Sequence, residues 1–177
     1  MTNTANNVMV SITGAVYVGP TGTAAPTSAT SALAGGFTAL GYVSSDGVTF
    51  ATDKSTNQIR AFQKNDLIRE VITETTVTYE WSALETNQTV IETYFGADMG
   101  ANGKIEFDPS SSGGRKSFVI DIVDGDKLIR HYIPSGEITN IMDQEFANGE
   151  AITYGFTLTA YASGDRTVDI FNEGFGS

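Results

Sequence analysis

Residues Val8, Val10, Ile12, Val16 and Val18 share one parity along the chain, a period of two that predicts a strand with one face in a core. A second alternation is cleaner. In REVITETTVTYEWSAL (69–84), Val71, Thr73, Thr75, Val77, Tyr79 and Trp81 line one face, while Glu70, Glu74, Thr78 and Glu80 line the other, with Ile72 as the exception. This is the signature of a half-buried antiparallel strand with one wet face, and it predicts that the sole tryptophan is buried near its end. Shorter strands are expected at 37–43, 105–107 and 118–123. Asp124-Gly125-Asp126 reads as a hairpin turn leading back through 128–133, and two further strands are expected around 137–146 and 151–162. One helix is predicted over 86–95: Val90, Ile91, Tyr94 and Phe95 recur at helical spacing, Thr89 to Glu92 resembles a capping box, and Gly96 suits the position after the C-cap. About eight strands and one flanking helix make a mainly β fold, an antiparallel sandwich or open barrel, in a single domain over 1–177.

Three segments stand outside this pattern. GPTGTAAPTSATSALAGG (19–36) has no packed face and reads as a surface loop, with a disordered linker as the alternative. From Asp46-Gly47 to Arg69 the chain runs on without an apolar stripe, as a weakly structured excursion that carries Lys54, Arg60, Lys64 and Arg69. Residues 165–177 read as a C-terminal tail.

Charge sharpens the picture. Twenty-one acidic residues against ten basic ones give a net charge of −11, a surface that repels nucleic acid and anionic membrane. The absence of cysteine removes disulfides, thiolate-bound zinc, iron–sulfur clusters and thiol catalysis. The N-terminal residues lack the pattern of a signal peptide, and no apolar run is long enough for a membrane span. A chain made in a reducing cytoplasm and leaving it only within a particle is expected.

Candidate chemistry is sparse. GADMGANGKI has Asp98 where a phosphate loop needs glycine and Ile105 where it needs Ser or Thr. Asp121, Asp124 and Asp126 are close in sequence but lack the spacing of a calcium loop, and the Asp-Gly turn accounts for them. His131, the only histidine, has no local partners for a triad or metal pair and reads as a surface or interface residue. No catalytic, cofactor-binding or metal-binding residues are assigned. A dispersed acid pair of the glycosidase kind and a non-catalytic β-sandwich ligand-binding module remain as competing readings.

The charges are segregated. Four of the ten basic residues fall between 54 and 69, whereas 134–164 holds Glu137, Asp143, Glu145 and Glu150 and no base. A basic arm on one copy facing an acidic surface on the next would set the register of self-association, and a head-to-tail contact of this kind builds rings or filaments.

The order of three features, the Pro/Thr-rich loop leading into LGYVSSDGVTF, the STNQIRAFQKNDLIREV segment and the ETNQTVIETYFG helix, resembles the major tail tube proteins of long-tailed, siphovirus-type phages of actinobacteria over roughly residues 14 to 165. The resemblance implies a non-enzymatic virion protein that assembles in the host cytoplasm into stacked, usually sixfold rings. It implies a conduit for DNA that is passed without specific binding. The expected partners are other copies of the chain and tape-measure, tail terminator and distal tail proteins, with no cofactor and no membrane. It also implies that 46–69, with Lys54, Arg60, Lys64 and Arg69, is an arm that contacts the next ring and orders on assembly. Candidate acids for the lumen are Glu137, Asp143 and Glu145 on the base-free strand, and Glu74 and Glu80 on the wet face of the long strand.

Overall fold

The computed structural model describes residue 5 and residues 8–175. Among these, eight strands form one antiparallel sheet: β1 (Thr13–Pro20), β2 (Thr38–Ala39), β3 (Val43–Arg60), β4 (Leu67–Ala83), β5 (Lys116–Asp124), β6 (Lys127–Ile141), β7 (Tyr154–Ala160) and β8 (Asp169–Glu173). The order is β2-β1-β5-β6-β7-β4-β3, with β8 added beside β6. β6 is the corner. One of its edges pairs with β5 as far as Gly136; the other takes β8 at Leu128–Tyr132 and then β7 from Gly136 onward. The sheet therefore divides into a β2-β1-β5-β6-β8 half and a β6-β7-β4-β3 half that pack face to face.

Inward alternation supplies the core between them. Phe118 and Ile120 from β5, Ile133 and Ile138 from β6, Phe156 and Leu158 from β7, and Tyr79 and Trp81 from β4 are all buried. Trp81 stacks on Phe156 at 5.1 Å and meets Phe118 edge-on at 6.3 Å. The single helix, α1 (Gln88–Phe95), covers one end of this core, with Val90 and Tyr94 buried and the Tyr94 hydroxyl donating to the Met142 carbonyl at 2.5 Å.

Several boundaries differ from the pattern-based expectation. β1 starts at Thr13, and Val8, Val10 and Ile12 are exposed, because only residues from Thr13 onward lie in register with β5. The strand expected over 37–43 is reduced to β2, broken off at Gly41, whose φ of 83° takes the chain away from β1. Residues 105–107 form no strand: both edges of β5 are taken, and Phe107 meets Phe95 of the helix edge-on at 5.3 Å instead. The expected strands at 128–133 and 137–146 are one strand that ends at Ile141. The helix N-cap is Asn87, whose side chain accepts from the Val90 amide at 2.9 Å, in place of Thr89. Within 165–177, Asp169–Glu173 adds the strand beside β6.

Segment 19–36 is packed across the outer surface of β5 and β6. Arg130 Nη1 donates to the carbonyls of Ser28 and Ser31, the Tyr132 hydroxyl donates to the Thr23 carbonyl, and Ala29 is buried. Its composition lacks an apolar stripe because polar contacts to its backbone hold it.

Candidate functional site

β3 and β4 are 18 and 17 residues long, well above the usual strand length. Only their proximal parts belong to the body. The last β4 residue paired to β7 is Val77, opposite Thr52 of β3. Beyond that point Asp53–Arg60 and Leu67–Thr76 form a two-stranded ribbon that reaches about 25 Å outward at the ordinary rise per residue. The segment read as weakly structured is thus a hydrogen-bonded hairpin within the single chain. Its lack of an apolar stripe follows from exposure of both faces: with no core on either side, nothing enforces alternation. Ile59 pairs with Arg69 and Asn57 with Val71 on one face, while Ile72 lies on the other.

The turn of the ribbon is tight. Lys64 and Asn65 both have positive φ, 56° and 58°, and the Asp66 amide donates to the Gln63 carbonyl at 3.4 Å, the pattern of a type I′ hairpin turn. Arg60 is held beside it, Nη1 donating to the Asn65 carbonyl at 3.1 Å and Nη2 to Gln58 Oε1 at 2.8 Å. The Glu70 carboxylate accepts from Thr56 and Gln58, and these bonds hold it below the usual carboxylate range. The structure therefore brings all four sequence-predicted bases onto one element. Lys54 sits at its root opposite Thr75, Arg69 stands opposite Ile59, and Arg60 and Lys64 are at the turn.

Six large apolar side chains on the same ribbon, Ile59, Phe62, Leu67, Ile68, Val71 and Ile72, are exposed, and Phe62 at the tip is 101% exposed. A two-stranded ribbon is marginal by itself in water, and an apolar cluster of this size marks a surface for association.

The second surface is the outer face of the β6-β7-β4-β3 half. Thr78 and Glu80 lie on it on β4, and the same parity runs on through Thr76 and Glu74 onto the ribbon. Glu80 pairs with Thr49 on one side and Thr157 on the other, Thr78 with Thr159, and Thr159 in turn with Glu137. Thr139 and Thr159 share a hydrogen bond at 2.8 Å, and the Glu137 carboxylate accepts from the Ser112 hydroxyl. The contributing stretches 43–53, 74–83, 136–141 and 154–160 hold no Lys or Arg. The strands of this face are rich in threonine and carry carboxylates but no Lys or Arg. Of the candidate lumen acids, Glu80 and Glu137 lie on it, and Glu74 continues its line on the ribbon, paired with Ser55. Asp143 and Glu145 do not, because β6 ends at Ile141, where Met142 folds over Gly155, and both acids fall in the loop that follows.

Two buried polar pairs went unread in the sequence. His131, expected as a surface or interface residue, is buried within the chain, with Nδ1 2.7 Å from the Tyr79 hydroxyl and Phe50 edge-on to its ring; burial lowers its pKa and raises that of Tyr79. Asp121 pairs with Arg130 across the β5–β6 hairpin. The signal was present: a two-residue turn at Gly125-Asp126 places 121 opposite 130.

Among solved structures, the chain is similar to one from the tail of an empty gene transfer agent particle with C6 symmetry, at 9% identity over 95% of this chain and 98% of that one, with a TM-score of 0.49. It is also similar to one from the PVC sheath–tube complex of an extracellular contractile injection system in its extended state (12% identity, 96% and 98% covered, TM-score 0.49). A third likeness is to a chain of the anti-feeding prophage baseplate (8% identity, 99% of each chain, TM-score 0.46). No curated protein matches it. The family model described as phage tail tube protein matches residues 1–172. The chain belongs to the phage tail tube protein family, a structural and non-enzymatic class.

Proposed function

We propose that copies of this chain form rings, six to a ring, that stack into the tail tube of a long-tailed phage, and that the tube conducts DNA out of the capsid. The observation that carries this reading is the ribbon: an extension with six exposed apolar side chains and four bases, on a body with one sheet face whose strands have carboxylates and no Lys or Arg. The ribbon, through Lys54, Arg60, Lys64 and Arg69, is the inter-ring arm. Its apolar side chains supply the burial that stabilises stacking, and its charges set register.

In the same reading, the threonine-paved face lines the lumen, with Glu74, Glu80 and Glu137 as its carboxylates. A cationic wall would gain affinity for the phosphate backbone by releasing counterions, and the genome would adhere; an anionic wall keeps it mobile. Tape-measure, tail terminator and distal tail proteins are the partners this assembly requires, and the virion tail is its place.

The test is direct. The concentrated protein, alone and with tail-initiating partners, is viewed by negative-stain electron microscopy, and hollow tubes or stacked rings of constant width are expected. Reversal of Lys54, Arg60 and Lys64 to Glu leaves cooperative unfolding intact and blocks stacking. A wild-type chain that stays small at every concentration, with partners added, returns the reading to a ligand-binding module.

A further inference from the structure

The ribbon tip has a counterpart at the other end of the same strand. Where β3 begins, a cleft of about 590 Å³ opens between Ile12 and Ile122 on the β1–β5 side and Tyr42, Val43 and Val48 on the β3 side. Tyr42 is 77% and Ile12 70% exposed, so its apolar rim is uncovered. The charged residues lining it are Glu85 and Asp121, and no base lines it. Glu85 is fixed there, one carboxylate oxygen accepting from the Tyr42 amide at 2.9 Å and the other from Asn87 Nδ2 at 3.1 Å. Asp46, between the lining residues Ser45 and Gly47, is exposed and adds a further carboxylate at the rim.

We infer that this cleft receives the ribbon tip of the next copy along the tube, with Phe62 as the inserted side chain and Arg60 and Lys64 facing Glu85 and Asp46. The inference rests on the ring-stacking reading and names the surface that accepts the arm. Three observations converge on it. Phe62 is fully exposed, while the cleft is a concavity with apolar walls that is open among the described residues. The tip carries Arg60 and Lys64 where the cleft carries the Glu85 and Asp46 carboxylates, the Asp121 carboxylate being already paired with Arg130, so the contact is complementary in charge. Finally, tip and cleft lie at opposite ends of β3, which runs from Val43 at the cleft to Arg60 beside the tip. At the ordinary rise per residue this is a separation of roughly 50 Å. A contact between them is therefore intermolecular and head-to-tail, a geometry that can repeat from copy to copy.

The chain contains no cysteine, which makes paired cysteines a clean probe. A Gln63→Cys/Ser45→Cys variant keeps Phe62 and places one thiol beside the tip and one on the cleft. After assembly and bridging with a short bismaleimide, a ladder of multimers is expected on a denaturing gel. A Gln63→Cys/Asp165→Cys variant, whose second thiol lies in an exposed turn past the ribbon-side end of β7, is expected to remain monomeric on the same gel. Phe62→Ser is expected to raise the critical concentration for assembly more than tenfold with no change in melting temperature. Tubes without a Gln63–Ser45 ladder, or equal ladders from both pairs, would overturn the tip-in-cleft contact and leave the tube reading standing. A wild-type chain that builds no tubes even with tail-initiating partners would overturn both.

Discussion

Arg130 and Asp121 face each other across the β5–β6 hairpin, with Nε and Nη2 each 2.7 Å from a different carboxylate oxygen, while Nη1 turns outward to the carbonyls of Ser28 and Ser31. One guanidinium thus closes a buried ion pair and fastens the 19–36 loop to the sheet. Both side chains are nearly inaccessible, and removing one partner of such a pair leaves an uncompensated charge.

Arg130→Ala is therefore expected to cost about 3–5 kcal/mol, whereas Asp121→Leu/Arg130→Met, which removes both charges, is expected to cost much less. Urea unfolding measures the difference. Limited proteolysis gives an independent readout: the loop should become cleavable near Ser28 in both variants, because both lose the guanidinium that holds its carbonyls.

His131 predicts a pH dependence. Burial lowers its pKa in the folded chain, so folding favours the neutral ring. The stability this contributes is fully present above the unfolded-state value of about 6.5 and is lost as pH falls through and below it, at up to about 1.4 kcal/mol per pH unit. Melting temperatures recorded from pH 8 to pH 5 should fall for the wild type more steeply than for His131→Gln, in which the Tyr79 hydroxyl keeps a partner and nothing titrates. Parallel curves would rule the histidine out as the source.

Gly96 ends the helix with φ 63°, and a Cβ placed on it would stand 2.7 Å from the Gly113 amide nitrogen. Gly96→Ala combines left-handed strain with a backbone clash and is expected to destabilise by more than ~2 kcal/mol. Asn87→Ala at the other end of the helix loses one capping bond and should cost ~1 kcal/mol. Thermal unfolding of the two variants side by side checks the ranking.

The proposed lumen face gives a functional prediction. Glu74 and Glu80 are exposed on β4, so Glu74→Lys/Glu80→Lys should change folding stability by no more than ~1 kcal/mol. Tubes built from it should retain fluorescent double-stranded DNA at low salt and release it as salt rises, whereas wild-type tubes retain none. Equal retention would place these residues away from the channel.

Legibility in the sequence tracked asymmetry of environment. β4 was readable from Val77 to Trp81 because one face meets the core and the other water. The fold class followed from such alternations and from the Asp-Gly turn. The ribbon defeated the same logic because Ile59 and Ile72 lie on opposite faces of an element that is wet on both. The end of β6 was missed because the acids at 143 and 145 continue a polar run without marking where pairing stops; what stops it is Met142 folding over Gly155. The burial of His131 depends on Phe50 and Tyr79 arriving from distant strands, and local spacing carries no trace of it. The four bases of the arm were visible as a cluster, yet their division between the root and the turn of the hairpin was set by a register that only the fold supplies.

The continuity of β4 has a mechanical consequence. The strand that starts in the ribbon at Leu67 enters the body at Val77 without interruption and ends at Ala83, bonded there to β3 on one side and β7 on the other. A pull on the ribbon along its length draws β3 and β4 together and loads the β4–β7 ladder in shear, with many bonds strained together, instead of opening it one bond at a time as in peeling. Each subunit so built acts as a tie rod: tension entering at one end is borne by a single covalent backbone to the other. In the proposed tube, that rod would carry axial load from ring to ring.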